Sequence, residues 1–451
     1  MGLLQSDKAV FYHPCDDDAE FVQASSWAEA TTSFASGKVA NAVGATGPWP
    51  SAASLGYESG LGVWGTENEF YSGGAAYYAM IRSLSSDKFL VLSAEGAVGG
   101  TGVMYVGTVA GGEITFGPSH YLAAPPARFW GGDIVALSDS KFAVCWQWWN
   151  DAPGTIRSGQ CRVGEVAGTD ITFGPQQQFV GGGGLGVPTT IAAPIDSTKF
   201  VVCYPDGEDS YKGAARIGQI SGLDVTFSGA KQHFTTGGVG SIDCGILSSS
   251  SFVVCFKDNS DSDHGTSKVG IVSGSDITFG SDYEFATSGV SGSTGGCELT
   301  VLGPATFVVA YKDASDSSGY ARVGAVAGTA ISFGAATQFE ASIGGVSTAI
   351  RMTGEEFVVA YTTGAGAGRC VAGQVSGSSI SFGGAQQFAA SSDLQPHMLA
   401  NVGGDVLVGY RDDADSGHGT VRRAAFGPDV YATVFSETRV AFCGWFKAPS
   451  A

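Results

Sequence analysis

The chain has 451 residues, 43% hydrophobic and only 14% charged, with a formal net charge of -19. That balance excludes a disordered chain, and so acidic a protein has no general affinity for nucleic-acid backbones, which rests on Lys and Arg neutralising phosphates. No apolar run approaches the roughly 18 residues of a membrane span, so a soluble protein is predicted.

Length alone would admit two or three ordinary domains, but a radially repeated fold absorbs most of such a chain in one body. Glycine, at 69 residues, has about twice its usual share of roughly 7% and falls at fixed repeat positions, as punctuation in an all-β fold does. The start, MGLLQSDK, lacks the basic segment and apolar core of a secretory signal. Gly2 with Ser6 fits the myristoylation pattern, one short enough to match many unmodified chains.

Residues 1–58 carry AVFYHPCDDDAEF and FASGKVANAV, outside any repeat. Then WGTENEF sets Trp64, Gly65 and Phe70 in a spacing that recurs later: an aromatic, glycine, four residues and a large apolar residue. From there to Phe426 the chain repeats one pattern, anchored at Phe89, Phe142, Phe200, Phe252, Phe307, Phe357 and Val406, at intervals of about 50 residues. Each anchor defines one of seven units, and each unit reads as four strands.

In the fourth unit the strands are Asp243 to Leu247, Phe252 to Phe256, the run with Val269, Gly270 and Val272, and Ile277 to Gly280 extending to Phe285. Runs of about five β-branched and aromatic residues are too short for helices. Glycine recurs in the third strand at Gly107, Gly164, Gly218, Gly270, Gly324 and Gly373, which predicts close approach of a bulky neighbour, the fourth-strand aromatic being the natural one.

The fourth-strand signature occurs at Phe116 to Leu122, Phe173 to Phe179, Phe279 to Phe285, Phe333 to Phe339 and Phe382 to Phe388, with one extra residue between Phe227 and Phe234. The seventh unit ends VRRAAF at Phe426 and then has GPDV where its fourth strand belongs. Residues 60–74 therefore fill that outer place beside 395–426. The predicted fold is a seven-bladed β-propeller over residues 59–426, closed by an N-terminal outer strand, because a unit of this kind cannot bury its own faces and closure removes exposed sheet edges.

That closure leaves 1–58 and 427–451 as neighbours in a small discontinuous β module. Gly37, Lys38 and Ala42, with the later RVAFCGWFKA strand, resemble a concanavalin-like, laminin-G-type sandwich. The resemblance implies a propeller inserted into a sandwich whose remaining strands come from elsewhere, or a reduced variant. The alternative is a small sheet capping the ring.

Nine cysteines are an odd number, and Cys145, Cys203 and Cys255 share one register with Ala310, Ala360 and Gly409, as small core residues do. If Ser249 and Ser250 form a two-residue turn, Cys244 faces Cys255 and a disulfide there is geometrically conceivable. No zinc-type CxxC pairing or His/Cys cluster occurs.

The loops between second and third strands repeat carboxylates: Asp206 with Asp209, Asp258 with Asp261, Asp313 with Asp316, and Asp412 with Asp415. One reading is calcium, served by Asp-rich loops with a glycine turn. The favoured reading is that Asp and Ser cap their own backbone, since no loop carries the calcium-loop pattern with its bidentate Glu. The second unit departs from this, with Trp148 at the Asp position and Trp149 after it; with Asn150 and Asp151 these suggest a sugar-stacking loop, while Trp146 reads as core. Packing against the outer module is the competing role.

Catalysis has little support. The six histidines fall in unrelated contexts, and no HExxH, GxSxG or sialidase Ser-x-Asp-x-Gly-x-x-Trp motif occurs.

The repeated VGxVxGxxITFG run, preceded by FVVxYxD, resembles repeats in structural proteins of tailed bacteriophages, notably tail-fibre and other appendage proteins. That resemblance implies a virion surface protein that meets host glycan, other coat proteins or itself. A non-viral bacterial cell-surface or secreted lectin is the alternative, and a glycan-cleaving enzyme a third.

Overall fold

A computed structural model describes residues 21–23, 39–41, 61–96, 100–123, 128–149, 157–181, 190–292, 295–393 and 399–426. The chain divides into two compact units, one of Val63–Gly427 and one of Met1–Gly62 with Pro428–Ala451. Of the smaller, strands Phe21–Gln23 and Val39–Asn41 pair in parallel. The sandwich expected of the chain ends otherwise falls outside the described residues.

Among the described residues of the larger unit every strand pairing is antiparallel. The second strand of each repeat lies at the middle of its sheet, as Ser251–Asp258 does between Gln232–Ser248 and His264–Ser273. These strands read as unbroken apolar runs because both faces are covered: Phe252, Val253, Val254, Cys255 and Phe256 are all fully buried. The first strand of the fourth unit does not begin at Asp243 as expected. It continues from the outer strand of the third unit in one strand, Gln232–Ser248, and so joins two units into a nine-stranded sheet.

The recurring third-strand glycine has a different neighbour from the one expected. Phe89 lies opposite Gly107 and Phe252 opposite Gly270, and a Cβ on either glycine would overlap that second-strand ring. The fourth-strand aromatic instead meets a second glycine near the start of the third strand: Phe179 covers Gly159, Phe285 covers Gly265 and Phe339 covers Gly319. The fourth strand is also broken. Asp276–Phe279 and Tyr283–Ala286 both pair with His264–Ser273 across a register shift. The break falls at Gly280, where a Cβ would stand 2.8 Å from Thr329 of the next unit's hairpin.

Asn68–Tyr71 pairs antiparallel with His418–Ala424, Asn68 opposite Val421 and Glu69 opposite Thr420, and the Gly65 N–H donates to the Arg423 carbonyl at 2.8 Å. Elsewhere the second large residue of the fourth-strand signature, where aromatic, leans on the following unit, as Phe179 does on Tyr204 (5.2 Å) and Phe227 (5.8 Å). Phe388 does the same on Tyr410 (5.3 Å) and Trp64 (5.9 Å), and Phe70 on Tyr105 (5.5 Å) and Phe116 (6.0 Å). Trp64 and Phe70 therefore occupy the places that fourth-strand aromatics hold in other units.

The first strands touch in cyclic order, from Ala76–Ser83 through Arg128–Ala136, Ile191–Asp196, Gln232–Ser248, Cys297–Gly303 and Ile343–Arg351 to Leu399–Val402, which touches Ala76–Ser83 again. They line a cavity of about 340 Å³, every one of the seven contributing, Arg82, Asp133, Ala193, Asp243, Thr300, Thr348 and Asn401 among the lining residues.

Two carboxylates link successive first strands. Asp133 accepts from the N–H groups of Ile134 (2.7 Å) and Ala192 (3.0 Å) and pairs with Arg82 at 2.6 Å. Asp243 accepts from Cys244 and Leu299, each at 2.7 Å. Burial pushes the Asp243 carboxyl up to about 7 in spite of those bonds, with the Asp133 charge adding to the rise, and burial likewise holds Glu298 well above its usual range.

A raised carboxyl pKa means that the folded chain binds more protons than the unfolded one between the ordinary value, 3.8, and about 7. Stability is then fullest below that window and falls as pH rises through it. Urea unfolding is expected to give a lower stability at pH 8 than at pH 5, and Asp243→Asn is expected to flatten the difference. A wild-type stability that rises over this interval would refute the assignment.

Neither cysteine of the conceivable Cys244–Cys255 pair is bonded. A bulge between Ile246 and Ser248 shifts the register by one residue, so Cys244 faces Val254 and Cys255 faces Asp243. Among the described residues the disulfide is Cys145–Cys161, directly opposed on neighbouring strands with Cα atoms 4.2 Å apart.

Candidate ligand-binding surface

The loops between second and third strands are built by their first carboxylates. Asp206 accepts from the Glu208 N–H (3.2 Å), Asp258 from Ser260 (2.9 Å), Asp313 from Ser315 (2.8 Å) and Asp412 from Ala414 (3.0 Å). Each is an Asx cap two residues long, the geometry by which Asp shapes its own turn. The second carboxylates also stay local: Asp209 pairs with Lys212 at 3.0 Å, and Asp316 accepts from the Ser318 N–H (2.8 Å) and the Tyr320 hydroxyl (2.9 Å). Asp261 and Asp415 face His264 and His418. The eight carboxylates serve four separate loops and do not converge on one oxygen cage of the kind calcium takes.

Asp206 is fully buried and receives Lys231 Nζ at 2.7 Å and His233 Nε2 at 2.9 Å. Burial pushes its carboxyl up, but Lys231 and His233 outweigh that and hold it below the usual range. Beside it a cavity of about 310 Å³ is lined by Gln178, Phe179, Gly181, Glu208, Arg216 and Lys231. Arg216 is committed to the backbone there, donating to the carbonyls of Phe179 and Phe227 at 2.6 Å each. Arg162, Arg322 and Arg422 hold the same register and reach back to Leu122, Phe285 and Phe388.

In the first unit that register position holds Tyr105, opposite Val91 as Arg162 is opposite Val144. Its hydroxyl donates to Glu95. The Glu95 charge also acts on Tyr71, on the N-terminal strand, and Tyr121 is 52% exposed. Burial first, and the Glu95 charge second, push the Tyr71 phenol up, and burial with the Glu95 hydrogen bond does so at Tyr105. The result is a buried tyrosine bonded to a carboxylate, with Tyr71 in the field of that charge and Tyr121 open to solvent. Rings of this kind offer an apolar face and a polar tip, and the carboxylate accepts hydroxyl protons.

The tryptophans expected in a loop lie elsewhere. Trp148 and Trp149 end the strand Lys141–Trp149, pairing with Ser158 and Arg157 on one side and with Phe129 and Arg128 on the other. Trp148 stands where Asp206, Asp258 and Asp412 end the second strands of other units, and Trp149 extends this one by a single residue. Trp148 is half-buried against the cluster containing Met80, Leu92 and Phe129, and Trp146 is core. The Trp149 side chain, Asn150 and Asp151 lie outside the described residues. The tyrosine group escaped the sequence reading because its members come from separate strands; the one local signal was Tyr105 standing where four other units carry arginine.

No family model and no curated protein matches the chain. Among solved structures it is similar to the BP39L lectin from Burkholderia pseudomallei, at 12% identity and a TM-score of 0.55, over 78% of this chain and 96% of that one. It is also similar to the SapL1 lectin, solved with alpha methyl fucoside, at 14% identity and a TM-score of 0.42 over 70% and 97% of the two chains. The NanB sialidase from Streptococcus pneumoniae aligns at 12% identity and a TM-score of 0.43 over 80% and 70%. The BP39L likeness establishes a shared all-β fold; function does not travel with a fold.

Proposed function

We propose that residues 59–426 are a seven-bladed β-propeller closed by the N-terminal strand, and that the protein is a carbohydrate-binding surface module. The observation that carries the binding reading is the tyrosine group at Glu95: Tyr105 bonded to the carboxylate, Tyr71 within reach of its charge, and Tyr121 open to solvent. An open ring and a carboxylate acceptor suit a pyranose, whose C–H face stacks while its hydroxyls donate. The lectin fold of the BP39L neighbour is compatible with that use. Binding proceeds without turnover in this reading.

By the resemblance of its repeats, the module is displayed on a tailed-phage virion, where the partner is host glycan or another coat protein. A non-viral bacterial surface lectin would use the same group, and antibody labelling of intact particles in electron microscopy separates the two. On a glycan array, Tyr121→Ala with Tyr71→Ala is expected to weaken binding tenfold or more, about 1.4 kcal/mol, while Trp148→Ala leaves it unchanged. Binding retained in the tyrosine double variant would remove the group from the proposal.

A further inference from the structure

In the fourth and seventh units the third strand opens with a histidine, His264 opposite Asp258 and His418 opposite Asp412. His264 Nδ1 lies 3.6 Å from Asp261 Oδ2 and 3.6 Å from Glu284 Oε1. His418 Nδ1 lies 3.4 Å from Asp415 Oδ2 and 3.5 Å from Glu69 Oε2. Within each triad the three potential ligand atoms fall inside 4.8 Å of one another.

These separations are too long for a hydrogen bond, and both Nδ1 atoms are buried without a hydrogen-bond partner. A gap of about 3.4 Å is instead the edge of a tetrahedron around an ion with ligand bonds of about 2.1 Å, the zinc distance to imidazole nitrogen and carboxylate oxygen.

Other units resolve the same register position without an ion. In the third unit Lys212 stands opposite Asp206, where the histidines stand, and its ammonium meets Asp209 at 3.0 Å. In the fifth unit neutral bonds suffice: the Ser318 N–H donates to Asp316 at 2.8 Å, and Gln338 Nε2 donates to Ser318 Oγ at 3.2 Å. Among the described residues, both places where histidine stands at this position leave two carboxylates facing a buried, unbonded nitrogen.

We propose that Asp261, His264 and Glu284, and likewise Glu69, Asp415 and His418, each bind a divalent transition metal of the zinc class, with solvent completing the shell. The carboxylates are partly exposed, which gives the ion an entry path. Calcium is disfavoured, since it takes six to eight oxygens and no nitrogen. The second site joins Glu69 of the N-terminal strand to the loop of the last unit, so an ion there ties the two ends of the repeat array together.

Isothermal titration of the full chain with zinc chloride at about pH 7.5 tests this, because neutral imidazole is the ligating form. Each of His264→Gln and His418→Gln is expected to lose one bound ion per chain relative to wild type, and the double variant two. Zinc is expected to raise the wild-type melting temperature, as any ligand bound only by the folded state does, and to do so less in the double variant. Metal-free melts of the variants that match wild type establish that they fold. Equal zinc stoichiometry in wild type and double variant overturns the proposal, as does a melting shift produced by calcium and not by zinc.

Discussion

Phe70→Ala is expected to lower the unfolding free energy by about 3–5 kcal/mol, the usual cost of removing an enclosed phenylalanine ring. The ring is 8% exposed, lies against Gly419 so closely that no Cβ would fit there, and meets Tyr105 at 5.5 Å and Phe116 at 6.0 Å. It belongs to a strand near the start of the chain yet touches the first unit and the last. Its loss should therefore be felt at both, and hydrogen exchange is expected to quicken at His418–Ala424 and at Thr101–Ala110 before it does at Ser251–Asp258. Urea unfolding supplies the magnitude. A loss under about 1 kcal/mol with unchanged exchange at both edges would mean that the pairing of Asn68–Tyr71 contributes nothing to holding these units, and the proposed closure would fall with it.

That strand was legible in the sequence because its aromatic and apolar spacing is set by contacts every unit repeats: Trp64 meets Phe388 as Phe227 meets Phe179. Strand pairing and unbroken apolar runs are likewise local and periodic. What stayed hidden depends on registers that sequence does not number. One bulge between Ile246 and Ser248 moved Cys244 away from Cys255, and Trp148, expected in a loop, stands at the last strand position that Asp206, Asp258 and Asp412 hold in other units. The loop aspartates could be read as self-capping turns because cap and capped residue lie two apart. The histidine triads could not, since Glu284 reaches His264 only through the pairing of Tyr283–Ala286 with the third strand, and Glu69 reaches His418 across most of the chain. The tyrosine group was obscured for the same reason.

The third-strand glycines give the second large effect. Phe252 is fully buried, pinned edge-on against Phe279 at 5.8 Å, and its ring lies over Gly270 where a Cβ would be. Alanine is better than glycine in a strand by roughly 0.5–1 kcal/mol on backbone entropy alone, so a simple propensity argument expects Gly270→Ala to stabilise. Overpacking points the other way, at about 1–3 kcal/mol, and it wins because a ring closed in on every side has nowhere to rotate. The expected result is a net loss of about 1–2 kcal/mol in urea unfolding. Phe252→Leu alone also destabilises, by opening a void, but together the two changes relieve each other, because the smaller side chain vacates the space the new methyl needs. A double-mutant cycle is expected to show a favourable coupling of about 1 kcal/mol or more. Strict additivity, or a Gly270→Ala chain more stable than wild type, would mean that the glycine is kept for some reason other than the ring above it.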